Sequence, residues 1–228
     1  LRRVSRDLRL ALPNSIVVNA DGTAISFFVT KTGGRYLSAD DDVPGVPVLD
    51  FVSPTATTFA MAGSEPVGKQ AILPDVDYVV VNNLGVDPAD AYTGGNRAQV
   101  KKFEVLDAAR NLYRVTLHTN PFAAQSPSMP SPGARFQVVG QPVTYRCTTG
   151  AGGTGSLTRQ TAYGFTKGAP AADAGTVSLM SKRVRNCRFG YTDLASRSAL
   201  ANIMLELEMP GDAGRIKLVH QVHVDNTP

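Results

Sequence analysis

The first twelve residues constrain the fold more than any other stretch, because they combine a helical apolar stripe with a cluster of arginines. Helical spacing of apolar residues produces one stripe on Leu1, Val4, Leu8, Ala11 and Leu12. The cations that lie off this stripe are Arg2, Arg3, Arg6 and Arg9. Pro13 disfavours a helical residue before it, so the pattern predicts an amphipathic helix within residues 1–13.

The rest of the chain, residues 14–228, has the composition of a β-rich body. Glycine occurs 21 times and proline 15 times, and threonine and valine are frequent. Hydrophobic residues make up 43% of the chain, yet no apolar run approaches the roughly 20 residues of a membrane span. We expect one domain over residues 1–228, in which the helix of residues 1–13 packs on a β-rich head.

Strand-like stretches follow one another along the head. In the most regular pair, Ala201–Met209 and Ile216–Asp225, apolar and polar residues alternate on either side of the turn Pro210–Gly214. The other strands are predicted at Ser15–Asn19, Ala24–Thr30, Val48–Val52, Thr58–Ala62, Asp77–Asn82, Lys101–Leu106, Leu112–Thr119, Arg135–Val139, Val143–Cys147, Leu157–Phe165, Val177–Lys182 and Asn186–Tyr191. Loops are predicted at Lys31–Pro47, Asn120–Gly133 and Thr148–Gly155. The predicted fold class is α+β and β-rich, with an N-terminal amphipathic helix on antiparallel sheets.

The two cysteines, Cys147 and Cys187, are far apart in sequence and have no histidine close to them. This spacing does not favour a metal site, so they are either two buried thiols or one disulfide. A single pair in a chain rich in strands and loops favours the disulfide and an oxidising compartment.

Other motifs do not indicate a metal, a cofactor or a catalytic centre. His220 and His223 would point to opposite faces of a strand, and the glycine-rich stretch Thr149–Gly155 lacks the Lys-Ser/Thr ending of a phosphate-binding loop. The acidic run Asp40–Asp42 and the pair Asp75 and Asp77 lack the ligand spacing of a calcium loop. We therefore expect no cofactor, no metal and no catalytic residue.

A nucleic-acid partner is not expected either. The net charge of +4 is modest, tryptophan is absent, and aromatic residues are only 7% of the chain. A surface that binds nucleic acid combines cations with stacking rings, and this combination is missing here.

The opening stretch Arg2–Ser15 resembles the distal part of the long N-terminal helix of type IV pilin-like proteins, where it runs into the first strand. Seven later stretches are similar to one branch of that family, the MshO branch of MSHA pilus biogenesis proteins. They are Tyr78–Gly85, Ala89–Arg97, Ser131–Val139, Pro142–Cys147, Gly155–Arg159, Val184–Tyr191 and Leu218–Pro228. The likeness covers essentially the whole chain, and its motifs are structural.

The resemblance implies a minor pilin of pseudopilin type, with an architecture like that of the larger minor pseudopilins of type II secretion. Such a subunit is anchored in the inner membrane of a Gram-negative bacterium, exposes a periplasmic head, and then enters the pilus. The apolar half of the helix that would cross the membrane is missing ahead of Leu1 and is expected upstream. The implied partners are the other minor pilins and the major pilin, and Cys147 and Cys187 would pair in the periplasm.

Two other functions remain open from the sequence. The first is an adhesin-like ligand-binding module at the pilus tip, which a concave cluster of exposed Tyr36, Tyr92 and Tyr163 would support. The second is a secreted β-sandwich hydrolase, which requires His118, a carboxylate and a serine to meet in a pocket.

Overall fold

The computed structural model describes residues 1–194 and 197–227, and most of their regular structure is β-strand. One α-helix, α1 (Arg2–Arg9), precedes the strands. In chain order the strands are β1 (Val17–Val18), β2 (Ala24–Phe27), β3 (Thr30–Tyr36), β4 (Thr58–Ala62), β5 (Tyr78–Val81), β6 (Arg97–Asp107), β7 (Leu112–Leu117), β8 (Arg135–Val139), β9 (Val143–Thr148), β10 (Gly155–Thr161), β11 (Thr176–Leu194), β12 (Ser198–Glu208) and β13 (Arg215–Asp225). Their pairings are antiparallel. The predicted β-rich architecture, a short N-terminal helix followed by antiparallel sheets, is confirmed.

The chain divides into two compact units. Unit 1 comprises Leu1–Val29 together with Gln141–Thr227, and unit 2 is the intervening segment Thr30–Gly140. The expectation of a single domain over residues 1–228 stays a prediction.

Unit 1 contains α1 and a seven-stranded sheet with the order β1-β2-β9-β10-β11-β12-β13. The 19-residue strand β11 is bulged just after Val184. A disulfide joins Cys147 on β9 to Cys187 beyond this bulge, with 6.4 Å between the Cα atoms, although β10 lies between the two strands in sheet order. Beyond the bulge, Phe189 donates its backbone N–H to the carbonyl of Gly22 at 2.7 Å, next to the start of β2. β11 therefore bends back over the sheet, and the disulfide favoured by the sequence is confirmed.

Unit 2 is a closed six-stranded barrel with the order β3-β4-β7-β6-β5-β8. Its first and last strands pair with each other, so the two ends of the inserted segment lie side by side. Phe59 and Phe136 meet edge to face inside the barrel, with ring centroids 5.6 Å apart. Three consecutive residues of β5, Val79, Val80 and Val81, are fully buried, so this strand is covered on both faces, as is typical of a continuous apolar run.

Several predicted boundaries are wrong, each for a tertiary reason. α1 ends at Arg9 and does not reach residue 13, because Ala11 already bridges to Val29 and Leu12 donates its backbone N–H to the carbonyl of Phe28. The loop expected at Lys31–Pro47 begins with strand β3. The strand expected at Val48–Val52 does not form, and the two strands expected within Thr176–Leu194 are the single strand β11.

Removal of the disulfide should destabilise unit 1. The Cys147→Ala/Cys187→Ala variant should lose about 3–4 kcal/mol of the free energy of unfolding, since a loop of this length is constrained in the unfolded chain. Urea unfolding of the variant, and of the wild type with and without reductant, measures this loss. An unchanged urea midpoint after complete reduction would contradict a stabilising role.

Candidate functional site

The apolar stripe of α1 is embedded in the core of unit 1. Val4 and Leu8 are 1% and 0% exposed and belong, with Ala11, to the main hydrophobic cluster, against which Leu1 also packs. Leu12 is fully buried as well. All five residues predicted for helix-to-sheet packing are therefore at least partly buried, while their role in assembly stays a prediction.

The hydrophobic cluster that contains the stripe includes side chains from both halves of the bent sheet. The cluster includes Phe27 of β2, Tyr145 of β9 and Phe189 of β11. Phe27 and Tyr145 stack with ring centroids 6.2 Å apart. Full burial of a leucine such as Leu8 contributes about 1.5–3 kcal/mol relative to exposure, so this contact is a principal reason for the helix to dock.

The buried side chain of Asp7 fixes the rotation of α1 about its axis and its position along that axis. The Oδ2 atom of Asp7 accepts a hydrogen bond from the hydroxyl of Tyr145 at 2.7 Å and another from Nε of Arg159 at 3.2 Å. Asp7 is 5% exposed, and the guanidinium of Arg159 also lies 5.9 Å from the centre of the Tyr145 ring. The carboxylate is thus paired and hydrogen-bonded, as a buried charge must be to avoid a large desolvation cost.

Burial and the neighbouring carboxylate of Asp7, to which it donates a hydrogen bond, raise the pKa of the Tyr145 phenol. Tyr145 therefore stays protonated and remains a donor. Sequence reasoning did not select Asp7, Tyr145 or Arg159. The available signal was that Asp7 is the single acidic residue among the first twelve and precedes the buried Leu8.

The opposite side of α1 lines an open groove of about 470 Å³. Its walls are formed by Leu1, Arg2, Ser5, Arg6, Arg9, Leu10 and His220. The arginines are exposed, and Leu10 is 47% exposed. The helix therefore has an apolar face that is satisfied inside unit 1 and a cationic face that is open.

The histidine pair of β13 does not converge. His223 is exposed, whereas His220 shares the face of the buried residues Val222 and Val224 and is partly buried. The prediction that the two imidazoles point to opposite faces is confirmed. Among the described residues, no group of three His, Cys, Asp or Glu side chains could hold a metal ion.

The acidic residues considered as calcium ligands make other contacts. Asp77 is paired with Lys31 at 2.6 Å. Asp41 is bonded to Arg35 and Ser38, and these hydrogen bonds lower its pKa to about 2. These two carboxylates therefore have partners within unit 2.

The features that would have supported a hydrolase or an aromatic binding cluster are absent where the sequence suggested them. His118 Nε2 lies 2.6 Å from Asp75 Oδ1, but both side chains are exposed and no serine hydroxyl is bonded to either residue in the described part of the chain. Tyr36 and Tyr92 are 1% and 6% exposed. Tyr163 is partly buried and its hydroxyl is hydrogen-bonded to Thr144.

Comparison of the chain with protein-family models, with curated proteins and with solved structures found no match. Within the described residues, none of the helices has the length and hydrophobicity needed to cross a membrane.

Substitution of Leu8 should report on helix docking. Leu8→Asp should lower the free energy of unfolding by a few kcal/mol, because it places an unpaired charge in the core. Leu10→Asp is the matched control, since Leu10 is 47% exposed and its substitution should have little effect. Equal urea midpoints for the two variants would contradict docking of α1.

Asp7 and Arg159 should be energetically coupled. Asp7→Ala leaves Arg159 partly buried without its carboxylate, so the variant should lose about 3–5 kcal/mol. In a double-mutant cycle, Asp7→Ala combined with Arg159→Met should cost less than the sum of the single changes. Asp173→Ala, at an exposed position, serves as the control for loss of an acidic residue. Additive losses would show that the pair does not act as a unit.

Proposed function

We propose that this protein is a structural minor pilin, a pseudopilin-like subunit of an MSHA-type type IV pilus, which contributes to assembly, to priming or to the filament tip. The observation that carries the proposal is the burial of the α1 stripe in unit 1 through Leu8 and Asp7. A subunit that assembles through an N-terminal helix must hold its head at a fixed orientation on that helix, and this contact would do so.

Two further features support the proposal. The disulfide between Cys147 and Cys187 would form in an oxidising periplasm and would keep the head folded outside the cell. The resemblance of the chain to the MSHA branch covers strands of both units and the α1 segment. In this proposal the partners are the other minor pilins and the major pilin, the upstream part of the helix anchors the subunit in the inner membrane, and no residue does covalent chemistry.

The reading frame ahead of Leu1 provides the first test. It should encode a short basic leader followed by about 20 apolar residues that continue the helix. A gene that starts immediately before Leu1, or that encodes a hydrophilic segment there, would contradict the proposal.

Piliation of the source bacterium provides the second test. Deletion of the gene should reduce the number of surface pili, counted by electron microscopy and by immunoblot of sheared filaments. The wild-type gene and a Val52→Asp variant, altered at a position that is 84% exposed, should restore them, whereas Leu8→Asp should not. Normal piliation in the deletion strain would contradict an assembly role.

One observation favours the alternative function, an adhesin-like module. A polar cleft of about 460 Å³ in unit 2 is formed where the segment after β3 meets the loop before β8. Its hydrogen-bonding side chains include Arg35, Ser38, Asp40, Asp41 and Ser131. An Asp40→Ala strain that keeps its pili but loses attachment would support this function over the assembly role.

A further inference from the structure

The cationic side of α1 forms a stripe of its own. At about 100° of rotation per residue, Arg2, Arg6 and Arg9 lie within roughly 60° of arc, and all three line the groove beside β13. Arg3 is also exposed on the same helix, but it projects roughly 100° away from Arg2 and does not line the groove.

This stripe has an energetic cost that the described side chains relieve only at Arg6. The first turn of α1 contains Arg2 and Arg3 and no acidic residue. Arg2–Arg6 and Arg6–Arg9 are like-charge pairs at helical spacing. Nη2 of Arg6 lies 3.5 Å from Oδ1 of Asp7. Among the side chains that the structure describes, Arg2 and Arg9 have no carboxylate within ion-pair distance.

We propose that the groove lined by Arg2, Arg6 and Arg9 binds the phosphate headgroups of an anionic phospholipid surface. A guanidinium group pairs well with phosphate oxygens, and an anionic surface would relieve the repulsion along the stripe. Residues that break a local rule of helix stability without compensation are expected at functional sites. This inference goes beyond the assembly role and does not depend on it.

The side chains that line the groove favour a lipid surface over one small anion. Nε2 of His220 is enclosed by protein atoms, and the hydroxyl of Ser5 is hydrogen-bonded to the carbonyl of Leu1, so the exposed cations of the groove are its flexible arginines. To gather three flexible arginine side chains around one anion would cost side-chain entropy. A membrane surface instead offers many phosphates at adaptable spacing, and the half-exposed Leu10 can enter its interfacial layer.

The test uses the purified 228-residue protein and vesicles of phosphatidylcholine with and without phosphatidylglycerol. Arg2→Gln and Arg3→Gln form a matched pair, because both remove one charge from the first turn of α1 and one like-charge pair with Arg6. At physiological ionic strength, the wild type should sediment with the anionic vesicles and not with the neutral ones. Arg2→Gln should weaken binding about fivefold, while Arg3→Gln should leave it within about twofold.

A second measurement separates binding from folding. Both variants should keep or raise the melting temperature, because each relieves repulsion within α1. A melting temperature that falls in Arg2→Gln alone would overturn the premise that Arg2 carries an unrelieved cost.

Three other outcomes would overturn the proposal. If Arg2→Gln and Arg3→Gln weaken vesicle binding equally, the protein is held by diffuse charge attraction and the groove does not contribute to binding. Arg2-dependent binding of soluble glycerol phosphate without vesicle binding would assign the groove to a small phosphate. Arg2-dependent binding of poly-glutamate without vesicle binding would assign it to an acidic polypeptide.

Discussion

The burial of Asp7 is the constraint on which the organisation of unit 1 depends. Asp7 is only 5% exposed, so its buried charge requires hydrogen-bond donors in fixed positions. The hydroxyl of Tyr145 and Nε of Arg159 are these donors. Because Leu8 follows Asp7 directly, the same placement that satisfies the carboxylate buries the leucine. A rotation of the helix by one residue would turn Arg6 toward the position of Asp7, so only one orientation of α1 satisfies both the charge and the apolar stripe.

The sheet must bend for this contact to form, and the bend is built into β11. The bulge after Val184 and the disulfide of Cys187 bring the second half of this strand back toward β9. The turn before β2 lies close to the second half of β11. A Cβ atom on Gly22, which has a φ of +72°, would be only 2.9 Å from the carbonyl oxygen of Phe189. The core around Leu8 thus receives side chains from strands that a flat sheet would keep apart.

The two faces of α1 differ in how completely their apolar atoms are buried and their charged groups are paired. The inner face has its apolar atoms buried and its one carboxylate paired, whereas the outer face holds Arg2 and Arg9 without a carboxylate partner among the described residues. The proposed functions use the two faces separately. Docking of the inner face would orient a subunit in a filament, and the outer face would contact phosphate headgroups.

The sequence by itself determined the structural elements that a local pattern of apolar and polar residues specifies. The periodicity of Leu1 to Leu12 was enough to identify the buried stripe, and alternation in Ala201–Met209 and Ile216–Asp225 was enough for the hairpin of β12 and β13. The presence of a single cysteine pair in a β-rich chain favoured the disulfide over two buried thiols, and the structure contains this bond. Each of these signals depends on residues that are neighbours in sequence, or on residue types that are rare in the chain.

Only the tertiary structure decided what depends on distant residues. The early end of α1 results from the bridge between Ala11 and Val29, and the partners of Asp7 come from residues 145 and 159. The closed barrel of unit 2 was not predicted, because closure depends on the pairing of β3 with β8, whose residues are about a hundred positions apart. Composition and residue spacing do not indicate such pairings. The pairings form only when the chain folds and brings residues that are distant in sequence to hydrogen-bond distance.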